Sequence, residues 1–118
     1  MLYNGDNPII QIVSVERIRW DGGTFEVAPR KFSALSLRIG GSTTVYAKGK
    51  EYFINTNDIL YLPQNMAYKA EYTDTEMIVI HFVTARDDDE IEVYSFHNSE
   101  QIYKLFLRML FQQPVRNT

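Results

Sequence analysis

The stretch NDILYLPQNMAY, Asn57 to Tyr68, decides how the rest of the chain is read. Asn57-Asp58 is a turn pair leading into the apolar run Ile59 to Leu62, which suits a short strand. Pro63 lacks the amide donor that a central strand needs, so the run ends there. Asparagine tolerates the left-handed backbone better than other residues with a side chain, which fits Asn57 and Asn65 for the two corners. The segment therefore predicts turn, strand, corner and return, with Tyr68 just ahead of the returning strand.

The same grammar extends in both directions. Further strands are expected at Ile9 to Val15, Thr24 to Val27, Phe32 to Ile39, Thr43 to Ala47, Glu51 to Ile54, Lys69 to Tyr72, Met77 to Val83 and Ile91 to Phe96. Turn residues separate them every ~8–12 positions, the mark of a sandwich or small barrel rather than of βαβ units. Leu35, Leu37 and Ile39 alternate with Ser36 and Arg38, so Arg38 lies on the face opposite the aliphatic trio. Thr43 to Ile54, turning at Ala47-Lys48-Gly49-Lys50, reads as a hairpin. The run Asp87-Asp88-Asp89-Glu90 reads as a solvated loop, because a calcium loop needs alternating oxygen ligands and a glycine.

The period changes after Asn98. Asn98 or Ser99 can cap a helix, and Ile102, Leu105, Phe106, Met109 and Leu110 then recur at helical spacing. Tyr103, Leu107 and Phe111 widen the apolar arc to about 240°, where packing on one sheet needs little more than ~100°. Two readings stay open: a terminal helix deep in a groove of its own domain, or one that also meets a partner. Pro114 ends it.

The 118 residues fit one domain, and 45% hydrophobic and 14% aromatic content is enough for a packed core. A formal charge of -3 offers no electrostatic basis for binding nucleic acid or an anionic membrane. With no cysteine, disulfides, zinc-thiolate sites and thiol nucleophiles are excluded. Neither a signal peptide nor an apolar run of ~18–20 residues is visible, so a cytoplasmic protein that does not enter membranes is expected.

Asn57, Pro63, Asn65 and Tyr68 resemble the second motif of the cupin superfamily, G-x5-P-x-G-x2-H, with both glycines replaced by asparagine and the metal-binding histidine by tyrosine. The interval expected to carry the first motif holds Tyr46, Lys48 and Glu51 but no histidine. The resemblance thus implies an all-β, cupin-like double-stranded β-helix (a jelly-roll barrel) over residues 1–97, with neither metal nor cofactor, followed by a C-terminal helix over 98–118. The order of elements from Arg30 to Phe82, notably DILYLP and then an aromatic, is similar to the sensor domains of arabinose-operon-type (AraC-family) transcription regulators. That likeness implies a non-enzymatic, ligand-sensing and dimerising domain: a homodimer that takes a sugar or other small metabolite as effector. It would touch DNA only through a helix-turn-helix domain that these 118 residues do not contain.

The family pattern also implies site residues. Arg38 matches an arginine that contacts ligand in the arabinose sensor; Tyr68 takes the pocket-facing motif position; the strand carrying Met77 and Val79 would line the site. Trp20, Tyr46, Tyr61, Tyr68 and Tyr72 offer ring faces and hydroxyls suited to a carbohydrate, of which two or three can face one pocket. Arg38 beside Ser36 can hold a hydroxyl or carboxylate, or can pair with Glu51 or Glu71 on a neighbouring strand. His81 is a ligand contact or a hydrogen-bonded barrel residue. Tyr103, Phe106, Leu107, Leu110 and Phe111 are the dimerisation candidates. Two other functions compete. One is a small cupin enzyme of the isomerase or epimerase kind, using His81 with Tyr68 or Glu71 as acid and base. The other is a ligandless dimerisation module.

Overall fold

A computed structural model describes residues 7–95 of the chain. The expected C-terminal helix and its dimerisation residues, Tyr103, Phe106, Leu107, Leu110 and Phe111, lie outside them. Nine strands follow one another: β1 (Ile9–Trp20), β2 (Gly23–Val27), β3 (Ser33–Gly40), β4 (Thr43–Ala47), β5 (Lys50–Ile54), β6 (Ile59–Leu62), β7 (Tyr68–Tyr72), β8 (Thr75–Thr84) and β9 (Glu92–Tyr94). They form a five-stranded sheet of order β1-β8-β3-β6-β9 and a four-stranded sheet of order β2-β7-β4-β5. Every pairing is antiparallel. The chain passes repeatedly from one sheet to the other, which wraps the two around a common interior.

The strand bounds match the sequence reading within two residues except at the end of β1. β1 continues through Glu16, Arg17 and Arg19, charges that an edge strand tolerates because one side faces water. Arg17 uses that freedom to donate from Nε to Glu76 Oε2 at 2.7 Å on paired β8. β9 is shorter than expected, since Ile91 turns inward to plug the interior instead of pairing.

Alternation sorts the side chains. In β3, β6 and β8 the inward set includes Ala34, Ser36, Arg38, Leu60, Leu62, Met77, Val79 and His81. The outward set, Leu37, Ile59, Tyr61, Ile78, Ile80 and Phe82, forms a second buried apolar cluster with Val15 of β1. All four β6 residues are buried. A strand covered on both faces reads as a continuous apolar run, as Ile59 to Leu62 does.

The corners follow their chemistry. Asn57 and Asn65 sit at φ 74° and 59°, the left-handed conformations expected of them. Lys48 and Gly49 (φ 51° and 75°) make the two-residue turn that sets Ala47 opposite Lys50. The acidic run is less free than a solvated loop: Gln64 Nε2 and Asn65 Nδ2 donate to Asp87 Oδ1, and Tyr61 Oη donates to Asp88 Oδ2 at 2.6 Å. Gly41 (φ 79°) lies so close to the neighbouring chain that a Cβ there would fall 2.0 Å from the Asp74 carbonyl oxygen.

Gly41→Ala is therefore expected to cost about 2–4 kcal/mol, left-handed strain and overpacking together. Exposed Asn57 carries only the strain component, so Asn57→Ala should lose about 1 kcal/mol and Asn57→Gly almost nothing. Urea unfolding of the three variants checks the order.

Candidate functional site

The interior is filled at one end and open at the other. Val45, Ala47, Ile54, Leu60, Met66, Ala70 and Ile91 close the filled end. Towards the other end lies a cavity of about 140 Å³. Strand β1 contributes Ile18 and Trp20, β3 contributes Ala34, Ser36 and Arg38, and β7 contributes Tyr68 and Tyr72. Met77, Val79 and His81 come from β8, Leu62 from β6, and Arg30 from the β2–β3 loop. Larger depressions flank the Lys48-Gly49 turn and the acidic loop.

Arg38 dominates the site. It is 1% exposed, and the structure ties it down twice. Its backbone N–H donates to the Asp58 carbonyl at 3.1 Å and its carbonyl accepts from the Asn57 N–H at 2.7 Å, so the corner of the quoted stretch grips it. Its guanidinium donates from Nε to Thr43 Oγ1 at 2.8 Å, and from Nη1 to Ser36 Oγ at 2.9 Å and Met77 Sδ at 3.1 Å. Neither Glu51 nor Glu71 pairs with it. Glu71 faces the other side of its sheet, where it accepts from Tyr46 Oη at 3.1 Å. Burial pulls the Arg38 pKa down to about 10, with Tyr72 and Tyr68 opposing, which leaves a cation at neutral pH.

A second cation sits nearby. Arg30 donates from Nη2 to Tyr68 Oη at 3.1 Å and lies over the Phe32 and Tyr68 rings, 4.8 and 5.7 Å from their centroids. The quoted stretch holds this loop too, because the Asn65 N–H donates to the Arg30 carbonyl at 2.7 Å. Tyr72 lies 5.8 Å beneath the Arg38 guanidinium and meets Trp20 edge-on at 4.5 Å. Burial raises the hydroxyl pKa of Tyr68, against the pull of Arg30 and Arg38, and pushes that of Tyr72 up to about 12. Both are neutral hydroxyls in any ordinary buffer.

Of the eight site residues expected from the sequence, six line the cavity: Trp20, Arg38, Tyr68, Met77, Val79 and His81. Tyr46 and Tyr61 do not. Tyr46 points to the outer face of its sheet, and Tyr61 belongs to the outer apolar cluster, since each falls on the wrong parity of its strand. His81 is hydrogen-bonded within the barrel, its Nδ1 3.2 Å from Ser14 Oγ, and it also lines the cavity. Of the two acid–base groupings, His81 with Glu71 is not assembled, since Glu71 faces outward, whereas His81 and Tyr68 line the same cavity. Among the described residues no three His, Cys, Asp or Glu side chains converge as metal ligands, and no helix is long and apolar enough to cross a membrane.

No family model matches the sequence, and no curated protein does. Solved structures do. ToxT from Vibrio cholerae, bound to (E)-4-(8-methylnaphthalen-1-yl)but-3-enoic acid, matches with TM-score 0.60 and 9% identity over 88% of this chain and 50% of that one. A candidate mannose-6-phosphate isomerase from Ralstonia eutropha JMP134 matches at 0.52 and 16% identity, over 70% and 90%. An oxalate decarboxylase matches at 0.51 and 12% identity, over 94% and 35%. The fold is cupin-like. At these identities the likeness is one of architecture, and the chain spans half the length of ToxT and about a third of the decarboxylase.

Burial holds the His81 pKa below its ordinary value, with Arg30 adding to the effect and Glu16 opposing it. A folded-state pKa lowered in this way contributes stability above about pH 6.5, and that stability is lost as pH falls through the lowered value. The thermal midpoint is expected to drop as pH falls below about 6.5, and to drop less in His81→Gln. Asp87, held low by Gln64 and Asn65, acts in a separate window below about pH 4.

Proposed function

We propose that the barrel is a non-catalytic effector-binding domain of the arabinose-operon regulator type, with the cavity around Arg38 as its ligand site. One observation carries this reading: a fully buried guanidinium, without a carboxylate partner among the described residues, is held at the wall of an interior cavity. Burying a cation costs several kcal/mol unless something compensates it, and three neutral acceptors compensate only in part. A protein whose sole task was to fold would gain by placing an apolar residue there.

ToxT, a regulator of this family with an N-terminal cupin domain, supports the reading. It shares this architecture and has been seen with an unsaturated fatty acid bound as well as with the naphthyl butenoic acid. In the proposed mechanism the filled cavity favours one arrangement of the barrel and its flanking segments, and that bias reaches a DNA-binding domain as a population shift. Homodimerisation, and DNA contact through a separate domain, belong to the same proposal.

Thermal shift of the 118-residue chain against sugars, sugar phosphates and small organic acids tests the site. A ligand at 100 times its Kd should add about 2.7 kcal/mol of stability. Arg38→Met should fold at least as stably as the parent and lose the shift. A ligand that stabilises Arg38→Met as well as the parent would place binding elsewhere.

A further inference from the structure

We infer that the cavity selects a monocarboxylate carrying an apolar body of about the size of a benzene ring. This rests on the effector-site reading above and specifies the ligand's chemistry.

The cavity's unused polar atoms are of one kind. Five N–H bonds radiate from the Arg38 guanidinium: one goes to Thr43, one to Ser36 and one to Met77. Both Nη2 donors lack a protein acceptor among the described residues. Arg38 lines the cavity, which places these donors at its wall. The Met77 thioether is the weakest acceptor of the three. An incoming oxygen that replaces it would complete an end-on fork from Nη1 and Nη2, a geometry that matches a carboxylate. Tyr68 adds a further donor. Its oxygen already accepts from Arg30, and its own O–H has no acceptor among the described residues.

Donors without acceptors call for a group that only accepts. An ionised carboxylate does so, whereas a sugar hydroxyl also needs somewhere to donate. Charge points the same way: Arg38 and Arg30 both line the cavity, and among the described residues no Asp or Glu does. The remaining wall is apolar, with Ile18, Trp20, Leu62, Met77 and Val79 around a volume of about 140 Å³. A cavity of about 150 Å³ is enough to hold benzene. A long acyl chain would not fit inside.

Titration calorimetry on the full chain tests this with benzoate, phenylacetate and 3-methylbutanoate as probes. Benzamide and benzyl alcohol serve as neutral counterparts, with L-arabinose as the polyol and inorganic phosphate as the bare anion. At least one carboxylate should bind at least about 30-fold more tightly than its neutral counterpart, as expected for a partnered buried charge. Tyr68→Phe should weaken it about tenfold. Arg38→Lys, which keeps the charge but not the fork, should lose most of the preference, and thermal midpoints confirm that both variants fold. Equal binding of benzoate and benzamide, or no carboxylate binding at all, overturns the inference. Binding of arabinose alone would overturn it while leaving the effector site standing. Silence across every class would remove both. Phosphate binding as tightly as the carboxylates would show a simple anion site and overturn the apolar part.

Discussion

The structure turns on one buried cation. Arg38 projects into the interior from the middle of β3, and no carboxylate among the described residues neutralises it. The fold keeps it there by gripping it at both ends. The Asn57-Asp58 corner takes both its backbone groups, and Thr43, Ser36 and Met77 take the guanidinium. The stretch that resembles a metal-binding motif thus still works as a scaffold. Its first corner fixes Arg38, its second fixes the Arg30 loop, and its final residue supplies the tyrosine between them. A divalent ion would bring positive charge to such a site; here two guanidinium groups bring it. Either way the cavity is suited to receive an electron-rich ligand.

Much of this was legible from the sequence, and the reason is periodicity. Wherever a strand alternates, parity tells inside from outside: Ser36 and Arg38 against Leu35, Leu37 and Ile39 is the clearest case, and Met77 and Val79 follow it. The left-handed corners could be read because asparagine is nearly the only residue other than glycine that occupies them readily. Tyr61 shows where the method fails. Leu60 and Leu62 flank it in a strand buried on both faces, so no polar neighbour marks its side. Tyr46 is different, since Val45 and Ala47 beside it form an apolar parity. Its placement outward follows from that pattern and was obscured by its place in the expected metal-motif interval.

Arg30 was beyond reach. It lies in an irregular loop where parity has no meaning, and its position depends on a backbone bond to Asn65, 35 residues further on. Nothing local announces such a contact. The anchoring of the acidic run has the same origin: Asp87 and Asp88 look like solvent-facing charge until the tertiary fold brings Gln64, Asn65 and Tyr61 to them. In both cases the missing information is a long-range pairing rather than a preference of the residues themselves.

The pairing of β1 with β8 has a consequence for how the molecule is made. Ile9 lies opposite Thr84, and the Asn7 side chain clasps the backbone of Arg86 through two hydrogen bonds. β1 leaves the ribosome well before β8 and must therefore wait for it before it has a neighbour in this sheet. Contacts so distant along the chain make folding slow, and a strand that waits with Val15, buried in the finished barrel, still uncovered is open to adhesion with other nascent chains. The architecture that shelters Arg38 so completely in the finished barrel leaves its opening strand unguarded throughout synthesis.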